Sequence, residues 1–217
     1  MITKVDICNN ALDLIGQGLH INSFDDKSKE ADLCKRNYQL AVERCLTKFY
    51  FSFARKDELI TNDYLLSSVV SIPYLYTYKL PNDVMNILYL EHYRKGENET
   101  IDNQDIIKFN FRVVSVNSTP TKCIVTNEQA PFVIQYQAFI DDPNLFSPQF
   151  LESLEYLLAS RFASALIHGT TGVQISSNLM QTAMQLLQLA SQQDNQQGAQ
   201  SIIDDETPIP EFIKVRF

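Results

Sequence analysis

The sequence predicts an α+β fold: a helical bundle of about four helices with an inserted antiparallel β domain and an extended C-terminal tail. Three observations predict it. Apolar residues recur at helical spacing near the start of the chain and again beyond residue 147. Between those regions the pattern switches to period two, with turn residues at short intervals. After a polar stretch, Pro208 and Pro210 forbid a helix near the C-terminus. The expected boundaries are 1–60 and 141–195 for the two parts of the bundle, 61–140 for the β domain, and 196–217 for a hinge and tail.

The first helix is expected after Thr3, an N-cap with Asp6 placed to complete a capping box. Val5, Cys8, Ala11, Leu12 and Ile15 share one face, and Gly16 and Gly18 stop it. The second helix spans about Ser28 to Phe49, with Ala31, Cys34, Tyr38, Ala41, Val42, Cys45 and Phe49 as its stripe. Lys35, Arg36, Glu43 and Arg44 lie off that stripe.

The stretch "FYFSFARK" (49–56) sets Phe49, Tyr50, Phe51 and Phe53 beside Arg55 and Lys56. Aromatics next to cations suit a single-stranded nucleic-acid platform, but they also suit the buried end of a helix. The second reading is preferred. Phe51 and Phe53, two apart as on an extended segment, bury together, and the cations mark the return to the surface.

About five strands follow. "YLYTYKL" places Tyr74, Tyr76, Tyr78 and Leu80 on one face, "LPND" turns, and "VMNILYLEHY" returns. "HYRKGENETIDNQD" is a polar loop. "IIKFNFRVVSV" sets Ile107, Phe109, Phe111 and Val113 together; "KCIVTN" and "PFVIQYQAF" complete an antiparallel sheet or small sandwich.

Ser147 caps the third helix and Pro148 takes its first position. Leu151, Leu154, Leu158, Phe162 and Ala165 are its buried candidates, and Gly169 ends it. The fourth helix covers about Val173 to Gln192, with Leu179, Ala183, Leu186, Leu187 and Ala190 as its apolar face. Gln181, Gln185, Gln188 and Gln192 form a row opposite that face. Uncharged amides can hydrogen-bond a partner without burying charge, so the row is either ordinary solvent-exposed surface or an interface or channel-facing surface. The polar run "SQQDNQQGAQS" reads as a hinge. In the closing "PEFIKVRF", Ile213, Val215 and Phe217 alternate with Lys214 and Arg216, as in an extended strand.

Composition narrows the function. The 217 residues carry a net charge of −8 with a pI of about 4.9, opposite to the basic balance of a protein that grips phosphates. Six glycines form no phosphate loop or dinucleotide fingerprint. His20, His92 and His168 are scattered, and Cys8, Cys34, Cys45 and Cys123 form no metal-ligand spacing. The acidic pairs Asp25–Asp26, Asp141–Asp142 and Asp204–Asp205 fall in loops, where Asp caps and turns. No catalytic, metal or cofactor site is assigned. No apolar run is long enough to cross a bilayer and no secretory leader is visible, so synthesis in a reducing cytosol is expected.

Several stretches in order resemble the tail tubular protein A family of short-tailed phages. "NNALDLIGQGLHINSFDDKSKEADLCKRNYQLAVERCL" (9–46) is similar to that family's Asn-Ala-Leu opening, loop, and helix carrying Ala, Cys, Tyr and Ala, here Ala31, Cys34, Tyr38 and Ala41. "FSFARK" (51–56) stands where the family has Trp-x-Phe-Ala, with Phe51 in the Trp position. "YKLPNDVMNILYL" (78–90), "PFVIQYQAFIDDPNLFSPQFLESLEYLLASRFA" (131–163) and "IKVRF" (213–217) resemble later family segments.

The resemblance implies a structural head-to-tail connector and not an enzyme. It implies a ring, dodecameric in the family's manner, between the portal protein and the tail nozzle or next tail-ring protein. DNA would pass through as cargo, and an acidic channel would let it slide. The protein would reside in the virion neck, after synthesis in the host cytoplasm, without a membrane partner. On that implication, Ile209, Phe212, Ile213, Val215, Arg216 and Phe217 form a portal-docking tail, and the Gln row faces a neighbouring subunit or the channel. The competing readings are a head-completion or stopper protein of a long-tailed phage, a tail-associated metal-dependent hydrolase, and a helix-turn-helix DNA-binding factor. The Gly16–Lys27 loop is too long for a helix-turn-helix turn, and the net charge has the wrong sign.

Overall fold

The computed structural model describes residues 1–16, 18, 20–66, 73–93, 106–116 and 118–203, with side chains followed to residue 195. The fold is α+β. Its described elements are α1 (Lys4–Asp13), α2 (Lys29–Lys48), β1 (Arg55–Ile60), β2 (Tyr76–Lys79), β3 (Val84–His92), β4 (Phe109–Val116), β5 (Thr119–Thr126), β6 (Phe132–Ala138), α3 (Pro148–Leu166) and α4 (Gly169–Ile203). The chain forms two compact units. One joins Met1–Phe53 to the chain from Asp141 onward, and the other is Ala54–Ile140. The β unit is thus an insertion, and it begins at Ala54 and not at 61 as expected.

Local chemistry starts the helices where the sequence places them. The Thr3 hydroxyl accepts from the Asp6 N–H at 3.2 Å, and the Asp6 carboxylate accepts from the Thr3 N–H at 2.8 Å, a reciprocal capping box. Ser28 accepts from the Ala31 N–H at 3.1 Å, and Ser147 from the Phe150 N–H at 3.3 Å, with Pro148 at the first helical position. Gly16 turns the chain after α1 at φ 72°, a conformation that glycine adopts without a Cβ penalty.

Helix α3 is the hub of the helical unit and touches α1, α2 and α4. Phe150, Leu154, Leu157, Leu158, Phe162 and Ala163 are fully buried on it. Ser153 and Ser160 are buried too. Each donates back to its own helix, to the carbonyls of Phe150 at 2.8 Å and Leu157 at 2.7 Å, so neither leaves an unsatisfied hydroxyl in the core. The expected stripes of α1 and α2 are buried at Cys8, Ala11, Leu12, Ala31, Cys34, Tyr38, Ala41, Val42 and Cys45.

The end of α2 feeds an aromatic cluster. Phe51 is 3% exposed and stacks on Phe53 at 5.4 Å between ring centres. Both meet Phe150 edge-on at 5.0 Å, and Phe146 closes the group at 4.8 Å from Phe150. Offset and edge-to-face pairs such as these add ~0.5–1.5 kcal/mol each beyond area burial. The expected extended segment is instead a short 3-10 turn over Ser52–Ala54. Arg55 and Lys56 then emerge on the surface, as expected, at the start of β1.

Two extents at the C-terminal end differ from expectation. Gly169, at φ 79°, does not merely follow α3; it opens α4 directly after Ile167 and His168. The polar run read as a hinge is helical as far as Ile203. Gln and Ala are good helix formers, and composition alone disguised that. Gly172 packs against the chain just before it. A Cβ built there would lie 2.1 Å from the Ile167 carbonyl oxygen, so glycine is needed for the close link between α3 and α4.

The β unit holds six described strands in two antiparallel sheets, ordered β1–β6–β3 and β2–β5–β4, where about five strands were expected. The additional strand is β1, "RKDELI". The β4–β5 hairpin is paired without a shift over all eight residue pairs, whereas β3 shifts register twice against β6. Tyr78 of β2 meets Phe132 of β6 at 5.1 Å, nearly perpendicular. Of the face carrying Ile107, Phe109, Phe111 and Val113, Ile107 is buried, while Phe111 and Val113 are 50% and 61% exposed.

Candidate interaction surfaces

Helix α4 carries the row named in the sequence. Gln181, Gln185, Gln188 and Gln192 are all exposed, and they follow one another at i, i+4, i+7 and i+11, so they share a face. Ala183, Leu187, Ala190 and Ser191 are buried on the opposite side. The row is therefore an uncharged polar surface, open to solvent in the single chain. Asp194 anchors α4 just beyond it, accepting from the Ser52 N–H and from its hydroxyl, each at 2.6 Å. The tail residues Ile209, Phe212, Ile213, Val215, Arg216 and Phe217 lie outside the described residues, as do Asp204–Asp205 and most of the polar loop after Tyr93.

The remaining acidic pairs act as turn and cap residues. The Asp26 carboxylate accepts from the N–H groups of Asn22 and Ser23 at 2.7 and 3.1 Å, and Asp25 pairs with Lys35 at 2.8 Å. Asp142 accepts from the Asn144 N–H at 3.0 Å, and Asp141 pairs with Lys4. Among the described residues, no cluster of His, Cys, Asp and Glu is arranged to hold a metal ion. His20 pairs with Asp13 at 2.8 Å; His92 and His168 are exposed at element ends.

One polar cluster in the β unit was not foreseen. The Tyr136 hydroxyl of β6 lies 3.0 Å from a Glu58 oxygen of β1 and 3.1 Å from an Asp83 oxygen in the turn before β3. Lys56 pairs with Asp83 at 2.5 Å, and Tyr64 donates to Glu58. Burial, then the neighbouring carboxylates, push the Tyr136 phenol far above its ordinary range. Burial also pulls on Asp83, but hydrogen bonds from Lys56 and Tyr136 outweigh it and hold that carboxyl below its usual value. The members come from separate elements, so no local spacing could reveal them. They satisfy one another, which suits a structural lock across the strands.

The four thiols are buried and free. Burial pushes Cys45 up to about 12, and a hydrogen bond with Cys34 followed by burial raises Cys8 well above its ordinary value. Such thiols are inert. Among the described residues no helix is long and apolar enough to cross a membrane.

No protein-family model matches the chain, and no curated protein matches it.

Proposed function

We propose that this protein is a structural, non-catalytic connector of a phage particle. It assembles as a ring, a dodecamer in the manner of the tail tubular protein A family, between the portal protein and the tail nozzle or next ring. The observation that carries the reading is the exposed row Gln181, Gln185, Gln188 and Gln192, on a helix that leads straight into the expected docking tail. An uncharged amide surface can be buried against a neighbour without a charge-desolvation penalty. A net charge of −8 per chain would keep the channel repulsive to DNA, which moves through it as cargo. The particle neck is the proposed location.

The test is electron microscopy and co-sedimentation with the portal of the phage that encodes the chain. The free protein should be monomeric or weakly associated and should form rings on the portal. Removing residues 204–217, which leaves α4 whole, should abolish co-sedimentation. A tight dimer that makes no rings on the portal, or unchanged association after the deletion, refutes the reading.

A further inference from the structure

The outer face of α2 carries an open groove of about 400 Å³ lined by Leu40, Glu43, Arg44, Thr47 and Lys48. Leu40 is 53% exposed at one end of it. Asn37 and Arg44 lie on the same helix face, and Arg161 of α3 reaches that face, donating to Asn37 Oδ1 at 3.2 Å. Burial and then the charge of Arg44 disfavour the Arg161 cation, and Arg161 Nε is buried without a hydrogen-bond partner. Among the described residues no carboxylate forms an ion pair with Arg44, Lys48 or Arg161. The one carboxylate of the groove, Glu43, accepts from Gln39 at 3.0 Å and leaves Arg44 and Lys48 without an ion pair beside an exposed leucine, a surface that suits an anionic, partly apolar segment.

This chain contains one with matching chemistry. At the end of α4 the sequence reads "IIDDE" (202–206): two isoleucines, then three carboxylates. We propose that the α2 groove of one copy receives Ile202–Glu206 of a second copy, the isoleucines against Leu40 and the carboxylates against Arg44, Lys48 and Arg161.

The directions of the helices select a second copy over the same chain. Lys29, at the start of α2, donates to the Ala165 carbonyl near the end of α3 at 2.9 Å. Phe51, just past α2, meets Phe150 at the start of α3. So α3 runs opposite to α2, and α4, returning through the tight Ile167–His168 link, runs in the same direction as α2. Asp194 reaches Ser52, beyond the end of α2. From there the helix carries Ile203 about 13 Å further on, at 1.5 Å per residue, away from a groove that lies behind it. The contact is head-to-tail, the kind that closes into a ring when the rotation allows. It rests on the ring-forming reading above.

The test places cysteines at the two ends of the contact, Leu40→Cys and Ile203→Cys together in the full chain at high concentration. The four native thiols are buried and should stay silent. Mild oxidation should give a reducible ladder of dimers and larger species. Adding Arg44→Glu and Lys48→Glu should cut the ladder about 5–10-fold, the effect of reversing two exposed ion pairs. Combining those with Asp204→Lys and Asp205→Lys should restore it. If an amine-reactive cross-linker yields oligomers while the 40–203 pair does not bridge chains, the inference fails and the ring reading stands. If neither treatment yields oligomers even with the chain assembled on the portal, both fail.

Discussion

The Asp194 carboxylate accepts both hydrogens that Ser52 offers, the backbone N–H and the hydroxyl, each at 2.6 Å. This contact joins the later part of α4 to the segment that follows α2. Hydrogen bonds to a charged group contribute ~1.5–3 kcal/mol in favourable settings, and partial exposure reduces that. Asp194→Ala is therefore expected to cost about 1–2 kcal/mol in urea unfolding. Amide hydrogen exchange should quicken in α4 beyond residue 190, with little change in α1.

The close approach at Gly172 gives a sharper expectation. A methyl group there meets a backbone carbonyl at 2.1 Å, and backbone cannot move aside as a flexible side chain can. Gly172→Ala should destabilise the helical unit by about 2–3 kcal/mol, the upper range for overpacking. Thermal unfolding checks it. Val173→Ala, one residue on, is the control: Val173 is 65% exposed, and its replacement should change stability by no more than about 0.5 kcal/mol.

The Tyr136–Glu58–Asp83 cluster predicts stability losses at both ends of the pH scale. The Asp83 carboxyl is held below its ordinary value in the folded chain. Its contribution is present above the unfolded value near 4 and is lost as pH falls through the lower folded value. The Tyr136 phenol is held above its ordinary value. Its contribution is present below about pH 10 and is lost as pH rises beyond that, because the unfolded phenol ionises first. Tyr136→Phe should flatten the alkaline limb and Asp83→Asn the acid limb, read as urea midpoints across pH. Wild-type limbs in both variants would remove the cluster from the account.

Phe51 packs against Phe53 and Phe150 in an aromatic group that joins the end of α2 to the start of α3. Phe51→Ala should cost ~3–5 kcal/mol, as for other large aromatic truncations. Phe51→Trp, the residue of the resembled family, should cost about 1–3 kcal/mol here, because Phe53 and Phe150 already fill the space at 5.4 and 5.0 Å. Chemical denaturation distinguishes the two.

What the sequence revealed and what it hid follow from the range of the interactions. Thr3 with Asp6, Ser28 with Ala31 and Ser147 with Phe150 are three-residue events, and each of those helix starts was readable. The apolar stripes were readable because one helix face suffices to define them. Strand β1 was not. Its full burial is confined to Ile60, and it is held by pairing with β6 more than seventy residues on. The same non-locality hid the division into two sheets and the Tyr136 cluster. The Gln row of α4 could be read from spacing alone, but the α2 groove needed Arg161, which only tertiary packing brings to Asn37.

The helical state of residues 191–203 changes what that stretch can transmit. A coil passes on only a distance. A helix passes on a distance and an angle, so each residue added or removed would shift its end by about 1.5 Å and turn it by about 100°. The end of α4 at Ile203 therefore has a set direction, and the number of glutamines in "SQQDNQQGAQS" becomes a matter of phase.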